Sequence, residues 1–373
     1  MSDRRVGIIV NSKQDIFSSG MVQNAYFIKL CLETLGFMCD FLSFDENPPA
    51  FKYKSIPVKR IDFKNPVFDI KQYHTLITVA FGLGKAEHDI CKENKTAVIS
   101  FICGNHFMHD IENFVRGNDN GRLSFVGSAT HSDELWVIPC YKYALTYLET
   151  IRKRPAFIVP HLWSPIIIEE MTAAAGKAKE KLYYTMPRKN PSKLTLLIAE
   201  PNVALFKGSW MPICAGEYLH QKNAELIDEV YAFSWPDNKH SYTMADSLSL
   251  GTKLRRFKRL SMPDIMTHFN TLGSMPIFVS HQINNSLNYL YYECLYYGWP
   301  LVHNSVDLEG CGYYYKENDI EGCANAILYA QKHHIKNLES YKAKAREYLR
   351  RVDPFDPDVQ STWRQYMNSV KRA

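Results

Sequence analysis

The stretch that decides the fold is NNSLNYLYYECLYYGWPLVHNS, residues 284–305. Its aromatic and apolar first part predicts a helix, Gly298 and the proline that follows it predict an abrupt end, and PLVH predicts a short buried strand. One carboxylate, Glu293, lies within this helix. A carboxylate can accept hydrogen bonds from two ribose hydroxyls, although an exposed acid on an amphipathic helix is the alternative. Asn284 and Asn285, at the predicted helix start, are expected to cap it or to contact phosphate and sugar oxygens. Asn285 would lie about 12 Å along the axis from Glu293.

The sequence on either side of this stretch predicts two α/β domains. A chain of 373 residues corresponds to about two domains of ~100–200 residues each. Short apolar runs alternate with helical stretches in both halves, which is typical of doubly wound parallel sheets. The expected bounds are 1–168 with a returning helix at 355–373 for the N-terminal domain, 169–192 for a linker, and 193–354 for the C-terminal domain. Ligands of such sheets lie beyond the carboxyl ends of the strands, so we expect the site in a cleft between the domains.

The composition narrows the class of protein. Charged residues make up 22% of the chain and hydrophobic residues 46%, as in ordinary soluble globular proteins. No apolar run reaches the ~18–20 residues that span a bilayer. The nine cysteines show neither C-x-x-C nor zinc-type spacing, which predicts reduced thiols and a cytoplasmic location. A net charge of +5 permits an anionic ligand without requiring nucleic acid.

In the N-terminal half, a loop rich in Ser and Gly follows the first predicted strand. Gly20 begins the next helix, and Gln23 and Asn24 follow it. Free backbone N–H groups at a helix N-terminus can bind an anion, although an ordinary βα loop is equally consistent with the pattern. A second glycine-containing stretch, AFGLGKAEH at 80–88, lacks the third glycine of a dinucleotide fingerprint. A dinucleotide-dependent dehydrogenase is therefore disfavoured.

In the C-terminal half, the loop EPNVALFKGS follows the first predicted strand. It brings Glu200, Asn202 and Lys207 to the expected cleft. A lysine there suits a diphosphate, because its ammonium is a mobile point charge with three donors. The alternative is that Lys207 is simply solvated.

The run from Glu293 to Pro300, E-x-x-x-x-G-x-P, resembles the nucleotide-binding motif of retaining GT-B glycosyltransferases. In that motif two acids eight residues apart serve the donor: the second holds the ribose and the first touches the sugar. Glu293 matches the second acid, whereas Asn285 stands in place of the first. Lys207 matches the diphosphate-binding lysine of those enzymes by its place after the first strand of the C-terminal domain. A donor ribose would then be the partner that a buried Glu293 requires.

Over most of its length the chain resembles a family of bacterial and phage proteins catalogued as a domain of unknown function and considered GT-B-like. The similar segments include SSGMVQNAYF, VPHLWSP, IAEPNV, the stretch from Ser280 that contains His281 and Asn284, and GCGYYYKENDIEG. The resemblance implies two Rossmann-like domains facing each other across a cleft, with a C-terminal helix that crosses back to the N-terminal domain. His281 joins Asn284 and Asn285 among the expected donor-binding residues.

The function implied is that of a glycosyltransferase of the EC 2.4 class that uses a nucleotide sugar, with a UDP-sugar favoured. Lys207 and helix N-termini would stabilise the leaving diphosphate, so no metal is required. For the catalytic base the first choice is His106, because an imidazole with a pKa of ~6.5 can take a hydroxyl proton near neutral pH. Asp15, in the first loop, is the second choice.

Two acceptors compete. A hydroxymethylated pyrimidine in phage DNA is narrowly favoured, because phage proteins belong to the resembling family and basic runs occur at 152–154, 188–189 and 253–259. Such an enzyme would act on double-stranded DNA in the host cytoplasm. A cell-surface or protein glycan is the other acceptor. A non-catalytic GT-B-like nucleotide-binding protein is the alternative from a different class, and Asn285 is the feature that keeps it open.

Overall fold

The computed structural model describes residues 5–17, 19–65, 68–79, 82–116, 131–185, 192–270 and 274–370. The chain divides into two compact units: unit 1 comprises Met1–Ser164 and Arg350–Ala373, and unit 2 comprises Pro165–Leu349. The described part of the segment 169–192, expected to be a linker, belongs to unit 2. The predicted basic pair at 188–189 lies outside the described residues.

The described part of unit 1 contains a parallel seven-stranded sheet in the order β3-β2-β1-β4-β5-β6-β7. Its central strands are apolar and buried on both faces, as expected for a parallel sheet that helices cover on both sides. The short edge strand β3 is the one that the sequence did not indicate. The strands are β1 (Arg5–Ile9), β2 (Met38–Ser43), β3 (Val58–Arg60), β4 (Tyr73–Val79), β5 (Ala97–Ile102), β6 (Glu134–Val137) and β7 (Ala156–Ile158).

The C-terminal helix returns to unit 1, as expected. Its Trp363 is fully buried, with its ring 5.5 Å from that of Trp136 and 6.3 Å from that of Phe101. Tyr366 Oη donates a hydrogen bond of 2.6 Å to the carbonyl of Ile158. The helices of this unit are α1 (Gly20–Thr34), α2 (Lys85–Glu93), α3 (His106–Arg116), α4 (Leu145–Arg152) and α12 (Pro357–Ser369).

The described part of unit 2 contains a parallel six-stranded sheet in the order β10-β9-β8-β11-β12-β13. Its strands are β8 (Leu194–Ile198), β9 (Ile227–Ala232), β10 (Leu254–Arg256), β11 (Met275–Val279), β12 (Leu301–His303) and β13 (Tyr313–Tyr314). Its helices are α5 (Ile166–Ala174), α6 (Trp210–Lys222), α7 (Lys239–Asp246), α8 (Met262–Phe269), α9 (Tyr289–Tyr297), α10 (Ile320–His333) and α11 (Leu338–Arg350).

Helix α9 is shorter at its start than the sequence predicts. It begins at Tyr289, and Asn288 is its N-cap, whose side chain accepts a hydrogen bond of 3.2 Å from the backbone N–H of Leu290. The expectation that Asn284 and Asn285 cap the helix is therefore wrong. The end of the helix is as predicted, because Gly298 adopts φ +74°, a conformation that glycine accepts without strain.

Both sheets reverse their strand order at one point. In unit 2 the reversal lies between β8 and β11, and in unit 1 it lies between β1 and β4. The connections that leave two such neighbouring strands run to opposite faces of the sheet, so a crevice opens beyond their carboxyl ends. In unit 2 the loops 199–209 and 280–288 flank this crevice, and they carry most of the predicted donor-binding residues.

Candidate functional site

Glu200 joins the two loops that flank the crevice of unit 2. Its side chain is fully buried at the end of β8. It accepts a hydrogen bond from Ser280 Oγ and another, 3.1 Å long, from Gln282 Nε2. The backbone adds a third link, since the N–H of Ile283 donates to the carbonyl of Phe206 over 3.1 Å. The residues predicted on the first loop are thus tied to those predicted on the second.

The positive charge of Lys207 opposes the negative charge of Glu200. Burial raises the pKa of this carboxyl to about 7, while its hydrogen bond from Ser280 and the positive charge of Lys207 oppose that rise. Lys207 is partly buried, and its Nζ lies 5.9 Å from the centroid of the Phe206 ring. The structure therefore places the predicted diphosphate-binding ammonium beside the crevice and within the field of a buried acid.

Asn202 shapes the first loop from within. It adopts φ +52°, a left-handed conformation that Asn tolerates better than most residues. Its Nδ2 lies within hydrogen-bond distance of Ser209 Oγ at 2.6 Å and of the Ser234 carbonyl at 3.0 Å. Its Oδ1 accepts from the backbone N–H of Ser209 at 2.8 Å. Since both ends of the amide are engaged by the protein, Asn202 holds the loop in shape.

Asn285 and Asn284 lie in the loop before α9. Asn285 is buried, and its Nδ2 donates to Gln282 Oε1 and, over 3.0 Å, to the carbonyl of Leu287. Asn284 adopts φ +48°, a left-handed conformation, in the loop between β11 and the helix. The 12 Å separation from Glu293 that was expected along a continuous helix does not apply, because residues 284–288 are not helical.

His281 is enclosed by the protein on both ring nitrogens. Nδ1 lies 2.8 Å from Tyr315 Oη, and Nε2 lies 3.0 Å from Asn318 Oδ1. Burial lowers the pKa of this imidazole, so the ring is neutral near pH 7. His281 therefore braces the second loop from behind.

Glu293 differs from these residues because its carboxylate has no hydrogen-bond donor among the described residues. It is partly buried on α9 between two buried neighbours, Tyr292 and Cys294. Burial raises its pKa to about 7, and the opposing influence is the positive charge of Arg259. Among the described residues, no group donates a hydrogen bond to its carboxylate. Its acceptor positions are therefore open to a ligand.

Arg259 is a residue that reasoning from the sequence missed. It lies in the connection between β10 and α8 and is exposed, and its charge favours the ionised form of Glu293. The sequence showed it only as the last member of a basic run. Its position 34 residues before Glu293 in the chain offered no local signal for the pairing.

Three other members of that run, Lys253, Arg255 and Arg256, are engaged by the protein itself. Lys253 Nζ donates to two backbone carbonyls at 2.5 Å and 2.7 Å. Arg255 forms a 2.7 Å ion pair with Glu229, and Arg256 forms a 3.0 Å ion pair with Asp246. These three basic side chains stabilise the edge of the sheet around β10, which leaves them less available for DNA phosphates.

The crevice of unit 1 carries the predicted N-terminal loop. Gly20 is exposed at the first position of α1. Gln23 Nε2 donates to the carbonyl of Ile16, and the buried Asn24 donates through Nδ2 to the carbonyl of Gly20, both over 2.8 Å. Asp15 is exposed, and its carboxylate accepts from the backbone N–H of Phe17 at 3.2 Å. The two amides thus support the loop.

His106 begins α3 in unit 1. Burial lowers the pKa of its imidazole to about 3, and the nearby positive charge of Arg152 acts in the same direction. The sequence led us to expect a value near 6.5, and the difference arises because desolvation disfavours the imidazolium. His106 is therefore neutral throughout the physiological range and a weaker base than expected.

The described residues offer neither a metal-binding cluster nor a membrane-spanning helix. Across the described ranges, His, Cys, Asp and Glu side chains form no group of three or more that could hold a metal ion. No described helix combines the length and the apolar character needed to cross a membrane. All nine cysteines are free thiols.

The chain forms two Rossmann-like α/β units, each with a parallel sheet of reversing strand order, and its C-terminal helix returns to the first unit. These features define the GT-B fold. Residues 6–367 match the family model described as "Protein of unknown function (DUF2827)", and the chain belongs to that family. No curated protein matches the sequence.

Solved structures share the fold at low sequence identity. Sucrose-phosphate synthase from Thermosynechococcus elongatus has 11% identity and a TM-score of 0.60, with 98% of each chain covered. An alpha-glucosyltransferase in complex with UDP and a 13-mer DNA containing an HMU base has 10% identity and a TM-score of 0.58, covering 98% of this chain and 99% of that one. Anabaena Alr3699/HepE in complex with UDP-glucose has 12% identity and a TM-score of 0.58, with the same coverage.

Proposed function

We propose that this protein is a glycosyltransferase that takes a sugar from a nucleotide sugar, with a UDP-sugar as the donor. The observation that carries the proposal is Glu293: a partly buried carboxylate to which no described group donates a hydrogen bond, opposite the charge of Arg259. Leaving a buried acid without donors is costly unless a ligand supplies them. Two of the solved structures with this fold hold UDP or UDP-glucose, which supports the choice of donor.

In this proposal the donor lies beyond the carboxyl ends of β8 and β11. Glu293 accepts the two ribose hydroxyls as charge-assisted hydrogen bonds. Lys207 contacts the diphosphate, whose negative charge grows as the bond to the sugar breaks, so its contribution is largest in the transition state.

The other residues predicted to bind the donor receive a supporting role. Glu200, Asn202, His281 and Asn285 each use their polar groups on neighbouring protein atoms. They hold the two loops in one conformation before a donor arrives, which limits the entropy lost on binding. Substitutions at these four positions should therefore change the stability of unit 2 together with donor affinity.

The acceptor stays a prediction. A hydroxymethylated pyrimidine in DNA is supported by the solved structure that contains an HMU base, whereas the ion pairs around β10 remove part of the support from the basic run. A cell-surface or protein glycan is the alternative acceptor. Asp15 and His106 remain the proposed bases, and the pKa of about 3 for His106 predicts that turnover shows no titration near pH 6.5 from this residue.

The test incubates the purified protein with UDP-glucose and other common UDP-sugars, with and without acceptor. Release of UDP without acceptor, abolished in Glu293→Ala, is expected of a transferase; a non-catalytic nucleotide-binding protein would bind UDP and release none. Hydroxymethylated duplex DNA is then analysed by mass spectrometry for added hexose. No mass gain on DNA, with transfer that survives nuclease treatment in a cell extract, would move the acceptor to a glycan. Absence of any UDP binding would refute the donor site itself.

A further inference from the structure

The second half of helix α3 in unit 1 has its polarity reversed. Its buried side chains include Asp110, Glu112 and Asn113, which are polar or charged. Phe114 is 91% exposed and Val115 is 76% exposed on the same helix. A surface helix ordinarily buries its apolar stripe and exposes its polar one. This arrangement requires an explanation outside the packing of the helix itself.

The orientation of the helix is fixed by hydrogen bonds. Tyr147 Oη, on α4, donates to Asp110 Oδ2 over 2.7 Å. Asn105 Oδ1 accepts from the backbone N–H of Met108 at 3.1 Å and from Tyr143 Oη at 3.0 Å, which ties the start of the helix to the segment before α4. Rolling α3 to bury its apolar side would break these contacts. The exposure of Phe114 and Val115 is thus built into the packing of the unit.

The segment that is hydrogen-bonded to α3 also exposes apolar side chains. At 100° per residue, Ile111, Phe114 and Val115 fall within one third of the circumference of α3, and Ile111 is also exposed. On the adjacent segment 139–152, Tyr143 and Ile151 are exposed as well. We call these five residues the α3–α4 face. Lone exposed apolar side chains are common, whereas several on one face of a helix, as on α3, mark a surface that meets a partner or a membrane.

Basic residues flank the α3–α4 face. Lys142 and Lys153 are exposed at the two ends of the segment that carries Tyr143 and Ile151, and Arg154 follows directly. Glu149 is the exposed acid in this segment, and its carboxylate accepts from the backbone N–H of Ala156 at 3.2 Å. The face therefore combines a protruding aromatic ring, aliphatic side chains and a surplus of positive charge.

We propose that the α3–α4 face docks on an anionic lipid surface. A phenylalanine with β-branched neighbours suits the boundary between headgroups and acyl chains, and flanking lysines suit lipid phosphates. DNA is disfavoured as the partner because backbone recognition needs the cations but gains nothing from Phe114, Val115 and Ile111. Lipid binding requires no nucleotide sugar. The docking proposal can therefore fail while the proposed glycosyltransferase activity stands.

The experiment measures sedimentation of the full-length protein with vesicles of phosphatidylcholine alone and of phosphatidylcholine mixed with phosphatidylglycerol. We expect binding to the anionic vesicles that weakens with salt. The double variant Phe114→Ser/Val115→Ser should lower the partition at least about tenfold. Phe355→Ser, which removes an exposed phenylalanine elsewhere in unit 1, should leave it unchanged. Lys142→Glu/Lys153→Glu should reduce binding to the anionic vesicles alone.

Four results would overturn the proposal. Equal partition of the wild-type protein and the Phe114→Ser/Val115→Ser variant would exclude the face as the contact. A concentration-dependent dimer that this variant abolishes would make the face an interface between copies of the chain. Duplex DNA binding by the wild-type protein that this variant abolishes, with no vesicle binding by either protein, would assign the face to nucleic acid. Finally, a Phe114→Trp protein should gain the emission of a solvent-exposed indole that shifts to the blue on vesicles. Emission of a buried indole in buffer would show that the face is already covered.

Discussion

The sharpest test of the donor site is Glu293→Gln, which removes the charge and keeps the shape of the side chain. In the ligand-free protein, burial raises the pKa of Glu293 from 4.5 to about 7. A raised carboxyl pKa means that the folded state favours the protonated form. Stability attributable to this group is therefore present below pH 4.5 and is lost as the pH rises towards 7, because the unfolded chain releases the proton first. At pH 8 the glutamate should cost roughly 1–3 kcal/mol, discounted for its partial exposure.

The variant should thus be more stable than the wild type at pH 8 by about that amount and equal to it near pH 4. Donor binding should change in the opposite direction. The loss of charge-assisted hydrogen bonds worth ~1.5–3 kcal/mol weakens UDP-glucose binding about ten- to a hundredfold. In the wild type, the affinity should rise with pH through about 7 and level off above it, because ribose hydroxyls require the ionised carboxylate; in Glu293→Gln it should be flat.

Urea unfolding and calorimetry at a series of pH values measure both quantities. Glu225→Gln is the matched control, because Glu225 is an exposed acid of the same unit; it should alter neither curve. A folded Glu293→Gln protein that binds UDP-glucose with unchanged affinity would refute the role in ribose binding. A wild-type affinity that falls as the pH rises from 6 to 8 would refute the titration argument.

Three further substitutions test the residues around Glu293. Arg259→Gln removes the positive charge that lowers the pKa of Glu293, so the pH midpoint of UDP-glucose binding should move upward in calorimetry; an unmoved midpoint contradicts the pairing. Lys207→Met should lower kcat about tenfold or more while uridine affinity stays within about threefold, and Lys222→Met, an exposed lysine of the same unit, should change neither. Glu200→Ala leaves two buried donors without their acceptor and should cost about 2–4 kcal/mol in urea unfolding, whereas Glu200→Gln should cost clearly less; equal losses would contradict the bracing role.

The fold could be predicted because its signals are local. Continuous apolar runs of strand length, separated by helical periods, indicated both sheets, and Gly298 marked the end of α9. The start of α9 was wrong because Leu287 continues the apolar pattern into a segment that is not helical. The side chain of Asn288 accepts a hydrogen bond from the backbone N–H of Leu290 in the first turn, and capping of this kind outweighed periodicity.

The site was harder to predict because its chemistry depends on long-range contacts. Glu293 stood out as a single acid in an aromatic helix, and its match to a known motif indicated its role. Glu200 and Gln282, whose hydrogen bond spans 82 positions in the chain, gave no such signal. Sequence reasoning therefore treated Glu200 as a ligand-binding residue, although its hydrogen bonds are made within the protein. The pKa of His106 was wrong for the same reason, since burial cannot be read from its neighbours in sequence.

The contrast between Glu200 and Glu293 carries the functional argument furthest. Both are acids whose pKa burial raises to about 7, and both lie in unit 2. Glu200 receives donors from the protein and an opposing charge from Lys207, as a structural acid must. Glu293 receives the charge of Arg259 and no donor among the described residues, whereas Asn202, His281 and Asn285 use their polar groups on protein atoms. When the buried polar groups of a site are hydrogen-bonded except at one residue, that residue indicates where a ligand completes the structure. The two hydroxyls of a ribose would supply the hydrogen-bond donors that Glu293 lacks.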